Sequence, residues 1–291
     1  VIPWQRVALA VYIGVNVGLL LYGVRFGPDN IDWSLWASLP ELIERGDIYA
    51  PSDFPFVWSP LAAYLMAGVS FLGYWPWVAL HVAFVFLLRD WRLIGLVLIS
   101  YPFWVDAALG NTLTFQVVAG MLVLRSERWS FVYLALAVLI PRPLIVPLVV
   151  WLLWKQPRTR LRLVAMAVVL GLATLFSGYT VEWITTALEY GRSDIVAEQT
   201  IGPVALIGPA WLLVGLPLGA WLTWRGWPGL AGMAISPYLF AYYLLMPLVD
   251  LVPKDRKVHD GLRHKGIVEQ PVPLSGSQRH ESVAPHLPKI P

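Results

Sequence analysis

The chain has no cysteine among its 291 residues, which removes a disulfide framework and a thiol nucleophile together. Charge is scarce too: Lys, Arg, Asp and Glu make up 13% of the chain, against about 25% in a soluble domain. Histidine is few and displaced. Of five, His259, His264, His280 and His286 lie in the polar tail. Only His81 sits in an apolar run, where a lone histidine reads as a packing residue. A zinc site and a Ser–His–Asp triad are therefore not expected, and no Asp-x-Asp pair points to a metal. The polar–apolar alternation that a membrane β-barrel needs is missing as well. VVWLLW and VALAVYIGVNVGLLLYGV do not alternate.

What is present is apolar sequence. The chain is 58% hydrophobic, with a mean hydropathy of +0.64. Apolar runs recur along most of it, so one soluble core does not account for them. The expected class is an all-α polytopic integral membrane protein. Spans are expected at 7–24, 76–88, 93–109, 112–124, 129–141, 143–154, 161–178, 203–224 and 228–250, about nine in all. Residues 57–75, broken by Pro60 and Pro76, read as a short interfacial or re-entrant segment. Several spans are shorter than the ~20 residues that cross a bilayer, which is tolerated where protein or a cavity covers them. The first run lacks a small-residue cleavage site before Arg25 and reads as a retained anchor. The net charge of +3 fits basic loops at a membrane and calls for no nucleic-acid partner.

The bases order the scheme. If 7–24 runs outward and 57–75 does not cross, then Arg89–Arg92, Arg125–Arg128, Lys155–Arg162 and Arg225 all fall on the inner side. The outer face then receives the acidic loop 25–56, the turn DAALGNTLTF at 106–115, PRP at 141–143, the loop 179–202 and the tail. The expected organisation is a membrane domain over 1–251 and a polar, disordered tail over 252–291.

Few residues remain that carry chemistry. Asp32 stands among Ile31, Trp33 and Trp36. Partial desolvation there raises its basicity and suits it to take a proton from a hydroxyl; the plain alternative is a helix N-cap. Asp47, after Gly46, reads as turn chemistry at the end of that helix. Arg142 lies between apolar runs in IPRPL. A guanidinium there grips phosphate in bidentate fashion, or it snorkels to the headgroups. Asn111 in GNT offers an amide in a loop. The rings of Trp33, Trp36, Tyr49, Trp58, Trp75 and Trp77 suit an interfacial belt or a sugar-stacking surface. Glu182, Glu189, Asp194 and Glu198 read as solvated surface.

The order of these elements resembles the bacterial polytopic mannosyltransferases of the GT-C type, which use polyprenyl-phosphate mannose. The likeness runs over about residues 1–250. It comprises Asp32 through ELIERGDIY, then FVWSPLAAYL, GNTLTF, LIPRPLIVPLVVWLLWKQPRTRLR and ISPYLFAYYLLMPLV. The departures are Arg142 where the family has Lys, Asn111 for Gln, and Ser59 for one Pro of a Pro-Pro pair. The chain is also shorter than such relatives.

The resemblance implies a GT-C-like helical bundle that transfers a hexose with inversion, on the outer face of the cell membrane. The donor would be a polyprenyl-phosphate sugar and the acceptor a lipid or glycan. Asp32 would be the base and Arg142 the donor-phosphate ligand. Trp36, Asp47, Tyr49, Trp58 and Asn111 would be substrate contacts, and neither metal nor cofactor would be required. The alternatives are a polytopic transporter or lipid flippase, which would need paired charges within spans or repeats, and a truncated, inactive membrane homologue.

Overall fold

A computed structural model of the chain describes residues 4–24, 26–51, 55–190, 207–236 and 239–252. The expected tail from 253 onward, together with Asp53, Asp194 and Glu198, lies outside the described residues. Those described fall within one compact unit, Val1–Lys254, and include helices but no strand.

Thirteen α-helices are described: α1 Trp4–Gly23, α2 Ile31–Arg45, α3 Pro60–Ser70, α4 Tyr74–Val85, α5 Trp91–Ile99, α6 Tyr101–Leu109, α7 Leu113–Arg125, α8 Ser130–Leu139, α9 Val146–Lys155, α10 Pro157–Phe176, α11 Thr180–Tyr190, α12 Trp211–Arg225 and α13 Pro228–Ile235. A 3₁₀ segment, Ala241–Leu251, closes the described chain.

Local chemistry explains several boundaries where the expected spans divide. Residues 93–109 form two helices, α5 and α6, bent by 68°. Pro102 has no N–H for the Leu98 carbonyl, so the helix cannot run through; the Trp104 indole N–H donates to that carbonyl instead, at 2.7 Å. The freed amide of Tyr101 donates to Asn16 of α1 at 2.7 Å. Residues 228–250 likewise divide after Ile235. Ser236 is extended, as a residue before proline prefers to be. At 57–75 there is one helix, α3, capped by the Ser59 hydroxyl, and α4 turns away from it by 109°.

The expected spans are thus not all single unbroken helices. Among the described residues one helix, α10, is long and apolar enough to span a bilayer, and up to three spans result if each bent pair counts as one. The helix α10 buries little of itself: Leu161, Val169 and Leu175 are more than 60% exposed. The contrary case is α7, in which every residue from Leu113 to Leu124 is buried. Around α7 pack α4, α6, α8 and the 3₁₀ segment. A helix apolar on all sides is expected in such a central place.

The two ends of α7 differ. At its C-terminal end Arg125 donates to the Leu88 carbonyl at 2.7 Å and to Asp90 at 2.5 Å. Arg162 nearby donates to the Glu127 carbonyl at 2.5 Å and to the Ser130 hydroxyl at 2.7 Å. These are loops that the charge pattern assigns to one side. At its N-terminal end lies the turn Gly110–Thr112.

Close backbone packing holds the late part of the chain against the early part. α13 packs on α12, on the turn Pro143–Ile145 and on the 3₁₀ segment. At Gly232 an added Cβ would overlap the Leu144 carbonyl group, whose carbon would stand 3.0 Å away. Only a glycine lets the two backbones approach so closely.

Candidate functional site

The turn after α6 is tethered by side chains from two helices, α4 and α6. Gly110 ends α6 in the left-handed region, φ 81°, where glycine pays no steric cost. It also lies against α2, because an added Cβ would sit 2.9 Å from Trp33 Cβ. From α4, the Trp77 indole donates to the Gly110 carbonyl at 2.9 Å, and His81 Nε2 lies 2.8 Å from the Asn111 carbonyl. From α6, the Asp106 carboxylate accepts the Leu113 amide at 3.3 Å and the Thr114 amide at 2.7 Å. Asp106 thereby supplies the N-terminal cap of α7 from seven residues upstream, while Thr112, at the usual capping position, makes no side-chain cap. Two otherwise orphan helix donors are satisfied.

Onto this turn converge two charged side chains distant in sequence. Asp32 lies in the first turn of α2, where the N-cap is Asn30. Asp32 is therefore not the cap; its carboxylate accepts the Asn111 amide N–H at 2.9 Å. Arg142 precedes Pro143 and is extended, φ −134° and ψ 138°, as its position dictates. Its Nη2 donates to the Asn111 side-chain oxygen and, at 3.2 Å, to the Thr112 hydroxyl. The same Asn111 oxygen accepts the Thr112 amide at 2.7 Å. One asparagine thus joins carboxylate to guanidinium.

The electrostatics are unusual. Arg142 is 6% exposed; among the described residues its Nε and Nη1 have no hydrogen-bond partner, while the Tyr243 side chain shares a hydrogen bond with its guanidinium. Its guanidinium lies over the Tyr242 ring, 5.8 Å from the centroid. No salt bridge joins it to Asp32 or Asp106 among the described residues. Asp32 retains some exposure at its edge, but the atoms packed around its carboxylate strip away water and push its pKa up to about 6; Arg142 opposes this, Asp106 adds to it and the Asn111 hydrogen bond opposes it. At pH 7 most of Asp32 is ionised, and it is a stronger base than an exposed carboxylate.

The other expected contacts are placed differently. Trp36 is fully buried, with the rings of Trp58 and Trp77 against it at 5.7 and 5.5 Å. Tyr49 is buried and donates its hydroxyl to the Trp58 carbonyl at 2.7 Å. These rings belong to a core under α2, and Trp36 and Tyr49 offer no open face to a sugar. Trp58 is half-buried beside them. Asp47 is exposed in the turn closing α2, where its amide donates to the Leu42 carbonyl at 2.8 Å, and the structure does not bring it to Asp32. Glu182 and Glu189 are exposed, as expected.

Two residues were not read as part of the site. His81 and Asp106 are fully buried, with Nε2 3.8 Å from the carboxylate. Among the described residues no three His, Cys, Asp or Glu side chains gather closely enough to hold a metal ion. The arrangement presents a basic carboxylate, a guanidinium with two nitrogens unpartnered among the described residues, and an amide between them. No family model matches the chain, and no curated protein or solved structure is significantly similar to it.

Proposed function

We propose that the chain is a multi-pass membrane glycosyltransferase of GT-C-like architecture that takes a hexose, mannose by resemblance, from a polyprenyl-phosphate sugar. Transfer proceeds with inversion to a lipid or glycan hydroxyl on the extracytoplasmic face. One observation carries this reading: among the described residues, a buried guanidinium keeps two N–H groups without a hydrogen-bond partner beside a basic carboxylate. Buried donors are rarely left unmet. An anion such as a phosphate satisfies donors of this kind with charge-assisted hydrogen bonds.

The chemistry then balances as one displacement. The acceptor hydroxyl gives its proton to Asp32 as its oxygen bonds to the anomeric carbon. The bond from that carbon to the phosphate oxygen breaks, and lipid phosphate leaves with one more negative charge than it carried as a diester. Arg142 offsets that charge as it develops. Direct inversion needs no second carboxylate as nucleophile. Asp106, occupied by two backbone amides, serves the turn instead.

The deciding experiment is transfer of radiolabelled mannose from polyprenyl-phosphate mannose by membranes expressing the chain. Product above an empty-vector control supports the reading, and its absence with correctly inserted protein overturns it. Sidedness has its own test in this cysteine-free chain. A single Glu127→Cys should resist an impermeant thiol reagent in intact cells, and labelling there would overturn the inner assignment of the Arg125–Arg128 loop. A transporter is the second reading, favoured by the fully buried His81–Asp106 pair. Movement of the lipid-linked sugar across vesicles without transfer would select it.

A further inference from the structure

We propose that Asn111 is a positioning residue whose side-chain amide keeps Asp32 and Arg142 from pairing directly. A carboxylate and a guanidinium that share a poorly hydrated site attract strongly and close into a bidentate pair when nothing intervenes. Here they do not. The Asn111 amide occupies the space, with its N–H toward Asp32 and its oxygen toward Arg142. Its orientation is fixed because the Thr112 amide also donates to that oxygen, and the His81 ring holds the backbone carbonyl of the same residue.

An amide suits this place because it carries no charge, does not titrate, and satisfies a donor and an acceptor at once. Direct pairing would damage both partners. Asp32 would lose basicity beside a full positive charge. Arg142 would turn toward the carboxylate and spend on it donors that now stay open. The groups that act on Asp32 are Arg142, Asp106 and Asn111. Tyr242 and Tyr243 also stand within its electrostatic reach, Tyr243 shares a hydrogen bond with the Arg142 side chain, and His81 faces Asp106. Among these Arg142 alone is a permanent cation, so it is the partner that the amide must hold off. The benefit to catalysis rests on the transferase reading; the spacing itself does not.

The test separates the two. The full chain in native membranes is treated over a pH series with a hydrophobic carbodiimide, which reacts with protonated carboxyl groups. Peptide mapping distinguishes the Asp32 adduct from that of Asp106. Parental Asp32 should show a labelling midpoint near about 6. In Asn111→Ala the midpoint should fall by about one pH unit or more as Asp32 pairs with Arg142. If the amide merely donates a hydrogen bond to the charged form, its loss raises the midpoint; a raised or unmoved midpoint overturns the proposal.

In Asn111→Ala with Arg142→Gln the midpoint should return to the parental value or above. This second variant also guards against unfolding, since an unfolded chain reads as an ordinary carboxylate in both, and a low midpoint in both overturns the proposal. Where the parent transfers sugar, Asn111→Ala should raise the donor KM as well as shift the acid limb downward. A parent that transfers nothing, with the midpoint falling as expected, sinks the transferase reading and leaves the spacer standing.

Discussion

The two ends of α7 set two arginines against carboxylates in opposite ways. At the C-terminal end Arg125 grips Asp90 directly and takes a backbone carbonyl besides, both side chains about a third exposed. The hydrogen bond from Arg125 holds Asp90 below the usual carboxylate range. About 20 Å away along the helix, Arg142 is buried, forms no salt bridge with Asp32, and leaves two nitrogens unpartnered among the described residues. There the carboxylate is pushed up. The first arrangement is complete in itself and fastens a loop. The second leaves donors open among the described residues, and a protein keeps such an unsatisfied cation in its interior at a cost in stability.

The comparison can be broken by experiment, and the largest effect belongs to Asp32. Asp32→Asn should lower sugar transfer by about 100- to 10,000-fold, the range for losing a general base. The exposed Asp29, converted to Asn, should stay near the parental rate; transfer that survives Asp32→Asn and dies in Asp29→Asn would identify the wrong carboxylate. The parental rate should also fall as pH drops through about 6, where the base takes up its proton, and this limb should vanish in Asp32→Asn.

Arg142→Ala comes next, at roughly 30- to 1000-fold for a lost charged contact of about 2–4 kcal/mol. Arg142→Lys should keep appreciable transfer, and an unimpaired Ala variant would make this arginine a mere headgroup contact. Gly110→Ala tests the scaffold between the two: a left-handed residue crowded by Trp33 should cost roughly 1–3 kcal/mol of stability, read as a lower melting temperature in detergent. The smallest change is expected from Asp90→Asn, which keeps the capping oxygen of α5. Transfer should be unaltered and melting only slightly lower. A large loss of transfer there would erase the contrast between the two ends.

Asp32, Asn111 and Arg142 were legible as candidates because polar groups in so apolar a chain are expensive and few. The structure joins them across 79 and 31 residues of sequence. Asp106 and His81 were not legible in these roles. A cap is normally sought at the residue before the helix, and Asp106 reaches α7 from inside the preceding helix, leaving no local signature. The aromatic residues misled for a related reason. Composition says that a ring is amphipathic, not which side is covered, and Trp36 is enclosed by other rings. Hydropathy likewise cannot tell a helix wrapped in protein from one wrapped in lipid. That is why α7 and α10 looked alike in sequence and differ so completely in burial.

Gly232 touches neither charged residue, yet it bears on how this sequence can drift. Its backbone lies against Leu144, two residues beyond Arg142, so any side chain there would collide with the Leu144 backbone, and the expected result is a displaced PRP turn. In a saturation library scored for transfer, position 232 should accept glycine alone while its exposed neighbour Leu230 varies freely. A ban of that kind, ninety residues along the chain from the arginine it protects, is the trace this architecture would leave in any set of descendants selected to keep working.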